Sequence, residues 1–387
     1  AGALREAGGD VVVLVGERGA AVPGALAAAG RLTDALDAKL AWVPRRNNAR
    51  GALNAGLLAG LLPGGHRLEV PEEREVVEAV WGELPGGPGR SLHEILEAAA
   101  GGEIDVLHLI GTDLVRDFDR PRLAKAALER VSTVIVQDLL RTETVRYAHV
   151  VLPAMGAQER SGTYTNWEGR RQRFWRAVPA PTLVQEDWDI ITQLVSFLGH
   201  HLGFSDLDGI RADMARIGNV APREWPSPED SSAATRGQED GDGERLPEGR
   251  LHLLTYPLLL DRGVMSLGAD DMLKTAKSPF AALNAADARR LGVSDGQTIT
   301  LASDYGRLTL TARVEDDVIQ DVVYLPSNST EEPAAILAGA LAGPVWVTVE
   351  PVDARVASMF GGGLSAGPTT EPYTRGDSGL PREGGPW

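Results

Sequence analysis

The sequence predicts an α/β protein in which a doubly wound, mostly parallel sheet is followed by a small β-barrel domain. In the first half, β-branched apolar runs such as residues 10–15 and 105–110 alternate with helical segments, as in βαβ units. After residue 250, short strands follow one another around one short helix. A polar segment separates these halves, and 387 residues are long enough for two domains.

The first elements form a βαβ unit. Residues 10–15 are predicted to be a buried parallel strand, residues 20–38 an Ala/Leu-rich helix and residues 40–43 a second strand. This order makes the predicted sheet Rossmann-like. The connecting turn is not the Gly-x-Gly-x-x-Gly loop that binds dinucleotides, and Glu17 would repel a pyrophosphate. No dinucleotide site is therefore expected at this turn.

The next elements continue the same pattern. Ser91 and Glu94 have the spacing of a capping box, which predicts the start of a helix before the strand at 105–110. A β-branched strand over residues 132–136 follows after another helix. His108 lies in an apolar strand, and we interpret it as a packed core histidine rather than a catalytic group.

The stretch from 149 to 174 is the most informative part of the sequence. A strand at 150–152 leads into a polar loop, where residues 162–166 combine a permissive Gly with short hydrogen-bonding side chains. Three arginines lie between 170 and 173. The carboxyl end of a strand is where open α/β sheets bind ligands or partners. The residues leave two interpretations open, a binding site or a set of side chains that only ties down the loop.

The domain boundaries follow from composition. An apolar stripe from Trp188 to Leu198 predicts a helix packed on the core, which closes an α/β domain over residues 1–218. Residues 219–250 are a linker rich in Pro, Ser, Gly, Asp and Glu. Residues 251–355 are expected to form the barrel, and the Gly/Pro-rich tail at 356–387 is predicted to be disordered.

Composition excludes several classes of protein. The formal net charge of −16 disfavours nucleic acids and anionic membranes as partners. No apolar run approaches the roughly 20 residues that span a bilayer, so direct membrane insertion is not expected. Because the chain has no cysteine, it has no disulfide and no thiolate to hold zinc or an iron–sulfur cluster. No hydrolase, metalloprotease or nucleotide-binding motif occurs, and the residues alone predict no catalytic or metal-ligating set.

Four segments resemble the molybdopterin oxidoreductase superfamily. They are residues 102–111, residues 136–154, the run Glu159-x-x-Gly162-Thr-Tyr-Thr-Asn166-x-Glu-Gly-Arg170-x-Gln172, and the upstream Asn47-Asn48-x-x-Gly51. Residues 284–296 are similar to the dinucleotide-binding barrel of that superfamily. The resemblance implies that the barrel has a double-psi fold.

Two departures from the family pattern suggest that the cofactor has been lost. The strand at 105–110 is followed by Thr112-Asp113 instead of Asn-Pro, and Asp113 would place negative charge where a phosphate-bearing pterin lies. The barrel entry at 256–266 lacks the expected His. The resemblance therefore implies a vestigial cleft without catalytic residues. Its candidate members are Gly111, Thr112, Asp113, Glu159, Gly162, Thr163, Thr165 and Asn166.

Within the superfamily the chain is most similar to the C-terminal part of the family of G subunits of NADH-quinone oxidoreductase, respiratory complex I. This resemblance implies a structural and docking role without a cofactor of its own, in a complex that carries FMN, 4Fe-4S and 2Fe-2S clusters. The implied partners are other subunits of the peripheral arm, at the cytoplasmic face of the plasma membrane. The alternatives are a fragment of an active molybdopterin enzyme of the formate dehydrogenase or nitrate reductase type, and a stand-alone adaptor.

Overall fold

The computed structural model describes residues 4, 11–16, 19, 24–220, 249–330, 332–338 and 345–352. The chain divides into two compact units, residues 1–247 with 338–345 and residues 248–337 with 346–387. Most of the predicted linker at 219–250 and all of the predicted disordered tail at 356–387 lie outside the described residues. The four predicted domain boundaries therefore stay a prediction.

The first unit, called the α/β unit below, alternates short strands and helices. Its strands are β1 (Val12–Gly16), β2 (Lys39–Val43), β3 (Leu61–Leu62), β4 (His66–Arg67), β5 (Val106–Ile110), β6 (Thr133–Asp138), β7 (Val150–Pro153), β8 (Gly162–Thr165) and β9 (Arg171–Phe174). Its helices are α1 (Ala25–Leu36), α2 (Ala49–Asn54), α3 (Pro71–Trp81), α4 (Leu92–Gly101), α5 (Leu114–Asp117), α6 (Pro121–Arg130), α7 (Asp187–Phe197) and α8 (Leu207–Ile217).

The parallel strands of this unit lie in two sheets instead of the single doubly wound sheet expected from the sequence. Among the described residues, β1 pairs with β2, and β5, β6 and β7 form a three-stranded parallel sheet in that order. Between β2 and β5 the chain forms the antiparallel β3–β4 pair and three helices, so none of the described strands joins the two sheets. The mixed α/β class is confirmed, whereas the described strands do not show a Rossmann-like order.

One face of the three-stranded sheet carries the core of the α/β unit. Leu107 and Leu109 of β5 pack with side chains of α4 and α6 in one buried cluster. On the opposite face Val106 and Ile110 are 54% and 44% exposed. Because side chains alternate along a strand, the helices cover one face of β5 and leave its other face open.

The second unit is a closed six-stranded barrel, and this part of the fold prediction is confirmed. Its strands are β10 (Leu251–Tyr256), β11 (Phe280–Leu283), β12 (Thr298–Ala302), β13 (Arg307–Val314), β14 (Val322–Pro326) and β15 (Trp346–Pro351), closed in the order β10-β14-β11-β13-β12-β15. Its helices are α9 (Asp270–Leu273) and α10 (Ala285–Leu291). The pairs β10–β14 and β11–β13 are parallel and the others antiparallel. The double-psi assignment stays a prediction.

Candidate functional site

The carboxyl end of β5 is closed by a buried polar pair. Asp113, which precedes α5, is 3% exposed, and its Oδ1 accepts hydrogen bonds from Thr144 Oγ1 at 2.7 Å and Thr144 N at 3.3 Å. Thr144 is fully buried, and its hydroxyl oxygen also accepts a bond from Val115 N. The Asp113 carboxylate therefore lies inside the fold and ties the β5 end to the segment before β7.

The carboxyl end of β6 is closed by a second set of side chains. Gln137 is fully buried, and its Nε2 donates to Asp187 Oδ1 at 2.8 Å. Arg160 reaches the other oxygen of Asp187 at 2.6 Å, and both of these side chains are about one third exposed. The network joins β6 to the start of α7 and to the loop after β7.

His108 extends this network, and the prediction that it is a core histidine is wrong. It lies on the exposed face of β5, with Nε2 3.2 Å from Gln137 Oε1. The error has a simple cause. An apolar strand can leave one face uncovered, and the alternation of side chains then places every second residue outside the core.

Glu159 and Gly162 shape the polar loop. Glu159 Oε2 accepts a hydrogen bond from Gly156 N at 2.8 Å, which closes the loop on itself. Gly162 is not in the left-handed region. A Cβ at this residue would lie 2.7 Å from Cζ of Phe174, so any larger residue here would require the aromatic ring to move.

Thr165 and Asn166 anchor the β8–β9 hairpin. The backbone N–H of Thr165 donates to Asn48 Oδ1 at 2.9 Å, across 117 positions of sequence. Asn166 begins the turn, and its side-chain oxygen accepts from Arg170 N at 2.8 Å. Asn48 adopts a left-handed conformation, with φ 60°, which asparagine tolerates better than most residues. The family-like segments at 47–51 and 159–172 therefore meet in space.

Between these segments lies a groove with a volume of about 440 Å³. The described residues that line it include arginines, amides and two aromatic rings, but no acidic side chain. The lining residues are Val43, Pro44, Arg45, Arg46, Asn47, Asn48, Ala49, Arg50, Tyr164, Thr165, Asn166, Trp167 and Gln172. This combination suits an anionic group placed beside an aromatic surface.

The structure brings together only part of the predicted cleft. Thr165 and Asn166 line the groove, whereas Glu159, Gly162 and Thr163 do not. Gly111, Thr112 and Asp113 lie at the end of β5, and they are not among the groove residues either. Sequence reasoning missed Thr144, Asp187 and the arginines at 45 and 46 as members of these sites. The Arg-Arg-Asn-Asn run after a strand was the available signal for the groove.

The described residues contain neither a metal-ligating cluster nor a helix suited to cross a membrane. No group of three or more His, Cys, Asp or Glu side chains among them is arranged to hold a metal ion. No helix in the described ranges has both the length and the apolar character needed to cross a membrane.

Two family models match the chain in order. The molybdopterin oxidoreductase model matches residues 13–197, and the molydopterin dinucleotide binding domain model matches residues 261–351. Among solved structures, acetylene hydratase from Pelobacter acetylenicus aligns with a TM-score of 0.55 at 17% identity, over 72% of this chain and 50% of that one. This likeness shows the fold alone.

Curated relatives extend the comparison. The G subunit of NADH-quinone oxidoreductase from Streptomyces coelicolor is 37% identical over 351 residues, which cover 88% of this chain and 40% of that protein. The G subunit of the same enzyme from Mycobacterium tuberculosis is 36% identical over 322 residues, 82% of this chain and 39% of that protein. The F420-dependent formate dehydrogenase 2 subunit alpha from Methanococcus maripaludis is 31% identical over 342 residues, 79% of this chain and 50% of that protein.

The chain thus spans half or less of the length of each of these relatives. The resemblance to the G subunits of NADH-quinone oxidoreductase and to their superfamily, predicted from the motifs, is confirmed by these matches. With two of its family models matched in chain order and a relative 37% identical over 88% of the chain, the chain belongs to the molybdopterin oxidoreductase family.

Proposed function

We propose that this chain is a structural and docking portion, without a bound pterin, of the iron–sulfur G subunit of NADH-quinone oxidoreductase. In this proposal the whole complex carries electrons from NADH through FMN and iron–sulfur clusters to quinone and couples the transfer to proton translocation. The 37% identity to a G subunit of that enzyme supports it. The absence of cysteine supports a position outside the cluster-bearing region, since clusters are normally held by thiolates.

The observation that carries the cofactor-free part of the proposal is the closed carboxyl edge of β5 and β6. In an open α/β sheet the ligand binds in the crevice at this edge. Here Asp113 is bonded to Thr144, and Gln137 is bonded to Asp187. These pairs fill the edge with side chains that are already hydrogen-bonded, and the buried Asp113 carboxylate does not fit a phosphate-bearing pterin there.

The remaining parts of the proposal concern partners and location. We place the chain among the subunits of the peripheral arm, at the cytoplasmic face of the plasma membrane. The formal charge of −16 supports protein partners over nucleic acid or an anionic lipid surface. Catalysis is assigned to the complex and not to residues of this chain.

Purification of the complex through a tag on this chain tests the proposal. The chain should co-migrate with NADH-oxidising activity on a native gel, and molybdenum and tungsten should be far below one atom per chain. Stoichiometric molybdenum or tungsten would overturn the cofactor-free part of the proposal. A chain that migrates apart from the NADH-oxidising band would overturn membership in the complex.

A second candidate is part of an active molybdopterin enzyme of the formate dehydrogenase or nitrate reductase type. The groove favours it, because Arg45 and Arg46 meet Asn166 there and suit a phosphate group. The 31% identity to a formate dehydrogenase subunit points the same way. Thr163, which this candidate would place near the cofactor, is not in the groove. Formate or nitrate turnover together with bound molybdenum would select this candidate. A third candidate is a stand-alone adaptor. In that case the tagged chain should purify without the subunits of the NADH-oxidising complex.

A further inference from the structure

The β8–β9 hairpin presents two arginines on one face. In the antiparallel register Arg171 lies opposite Thr165, and Arg173 lies opposite Thr163. Because side chains alternate along a strand, these two arginines point to the same side, and Gln172 between them points to the groove side. Both arginines are exposed.

The hairpin is held in a fixed conformation. The rings of Tyr164 and Phe174 stack across the strands with centroids 4.7 Å apart. At the tip, Gly169 adopts φ 88° and its N–H donates to Asn166 O at 2.9 Å. At the base, Arg176 Nε donates to Glu159 O at 2.7 Å. A partner that binds this hairpin would therefore meet a backbone that is already ordered, which lowers the entropic cost of association.

The charge of this face is uncompensated. Among the described residues, Arg171 and Arg173 have neither an ion pair nor a side-chain hydrogen bond. Elsewhere in the α/β unit arginines are commonly paired, as Arg160 is with Asp187 at 2.6 Å and Arg67 with Glu73 at 2.8 Å. A positive patch on a chain with a formal charge of −16 attracts acidic groups locally.

Two exposed tryptophans lie close to the arginines in sequence, and the first of them also lines the groove. Trp167, in the turn, is 48% exposed, and Trp175, just after β9, is 73% exposed. Tryptophan and arginine are the residues most enriched among those that dominate protein–protein binding energy. Their combination on an ordered hairpin is typical of an interface rather than of a solvated loop.

We infer that the Arg171–Arg173 face of the β8–β9 hairpin docks onto an acidic surface of another polypeptide of the complex. This inference rests on the proposed function and names the surface that performs the docking. The competing explanation is edge protection, since β9 pairs only with β8 among the described strands and charges on an edge strand discourage aggregation. Edge protection requires a charge of either sign, whereas docking requires a positive one.

Charge reversal in the full chain separates these explanations. The variant R171E/R173E, tagged and expressed in cells that assemble the complex, is compared with wild type for co-migration with NADH-oxidising activity. We expect the co-migrating fraction to fall on the order of tenfold, because like charges would then face each other at the interface. The charge-preserving variant R171K/R173K should retain most of the wild-type fraction.

The matched control is R31E/R122E, which changes the net charge equally at exposed arginines of α1 and α6. It should co-migrate as wild type does, and all variants should have the wild-type circular dichroism spectrum and melting temperature. Retention of R171E/R173E in the complex would overturn the inference and leave the proposed function standing. So would an equal loss in R31E/R122E.

Two further outcomes would overturn the docking inference. If wild type itself does not co-migrate with the activity, the proposed function fails and the inference fails with it. If the purified wild-type chain binds phosphatidylglycerol vesicles and R171E/R173E does not, the patch serves a lipid surface and the inference is overturned.

Discussion

The barrel and the β5–β6–β7 sheet bury their strands in different ways. In the barrel the six strands close into a ring, and Leu283, Ile299 and Leu301 are 0% exposed. In the three-stranded sheet the helices cover one face, while Val106 and Ile110 on the other face remain half exposed. Parallel sheets in folded proteins ordinarily have both faces covered.

This difference indicates which interactions stabilise each unit. A closed barrel has no unpaired edges and fills its interior with its own side chains. The sheet of the α/β unit gains apolar burial on one side and hydrogen-bonded polar pairs at its carboxyl edge. Substitutions should therefore lower stability most inside the barrel, less at the polar edge and least on the open face.

The largest effect is expected inside the barrel. Leu301→Ala should lower the free energy of unfolding of the barrel by about 3 kcal/mol, since it removes a fully buried side chain and leaves a cavity. Val106→Ala on the open face of β5 should change stability by less than about 0.5 kcal/mol. Hydrogen exchange of the barrel and sheet amides, measured at increasing urea concentrations, gives the change in the free energy of unfolding for each variant. Equal losses of unfolding free energy in the two variants would contradict the proposed difference between the barrel and the open sheet face.

The next effect is expected at the carboxyl edge of the sheet. Thr144→Val should destabilise the α/β unit by about 1–3 kcal/mol, because it removes the hydroxyl that donates to the buried Asp113 carboxylate and leaves only the longer bond from Thr144 N. Thr133→Val, at a half-buried threonine of β6, is the matched control and should be nearly neutral. The same urea experiment applies, with Asp113→Ala completing a double-mutant cycle. A coupling energy near zero would show that the pair does not stabilise the edge.

The sequence predicted best those features of the fold that depend on residues close together in the chain. The capping box is confirmed, because Ser91 Oγ accepts from Glu94 N and Glu94 accepts from Ser91 N. A local side chain also caps α10, where Asn284 Oδ1 accepts a hydrogen bond from Ala286 N at 2.8 Å. The helix α3 was not predicted, because charged residues dominate its first turns.

Burial was harder to predict than the elements themselves. The stripe from Trp188 to Leu198 was expected to pack on the core, yet Leu198 is 76% exposed and Ile190 is the buried residue of α7. Periodicity fixes which side chains share a helix face, but contacts from distant segments decide whether that face is covered. The same limit applies to the groove, whose two walls are far apart in sequence and meet through the bond between Asn48 and Thr165.

A smaller effect is expected on the open face of β5. The double substitution Val106→Ser and Ile110→Ser should lower the fluorescence of bound anilinonaphthalene sulfonate, because exposed apolar side chains on one face of a strand offer a dye site. Stability should change by less than about 0.5 kcal/mol. Ile319→Ser, at a residue of the barrel unit that is 73% exposed, is the control and should leave the fluorescence unchanged. Unchanged fluorescence in the double variant would argue that the open face is not a continuous apolar surface.

The smallest effect is a pH dependence confined to the barrel. Burial lowers the pKa of His252 from its ordinary value of 6.5, and the ring lies 5.1 Å from that of Trp346. The unfolded chain therefore binds this proton at a higher pH than the folded barrel does. The contribution of His252 to stability is fully present above pH 6.5 and is lost as pH falls through the lowered folded-state pKa.

Barrel melting temperatures between about pH 5 and 7 measure this dependence, and His252→Gln should flatten it. Asp304, whose pKa is lowered by its hydrogen bond and charge interaction with Arg250, acts in a separate window, since its ordinary value is 3.8. The melting of the α/β unit should not respond to His252→Gln. If the variant keeps the wild-type slope over this pH range, the half-buried position of His252 on β10 does not penalise its charge, and the contrast with the open sheet would then rest on apolar burial alone.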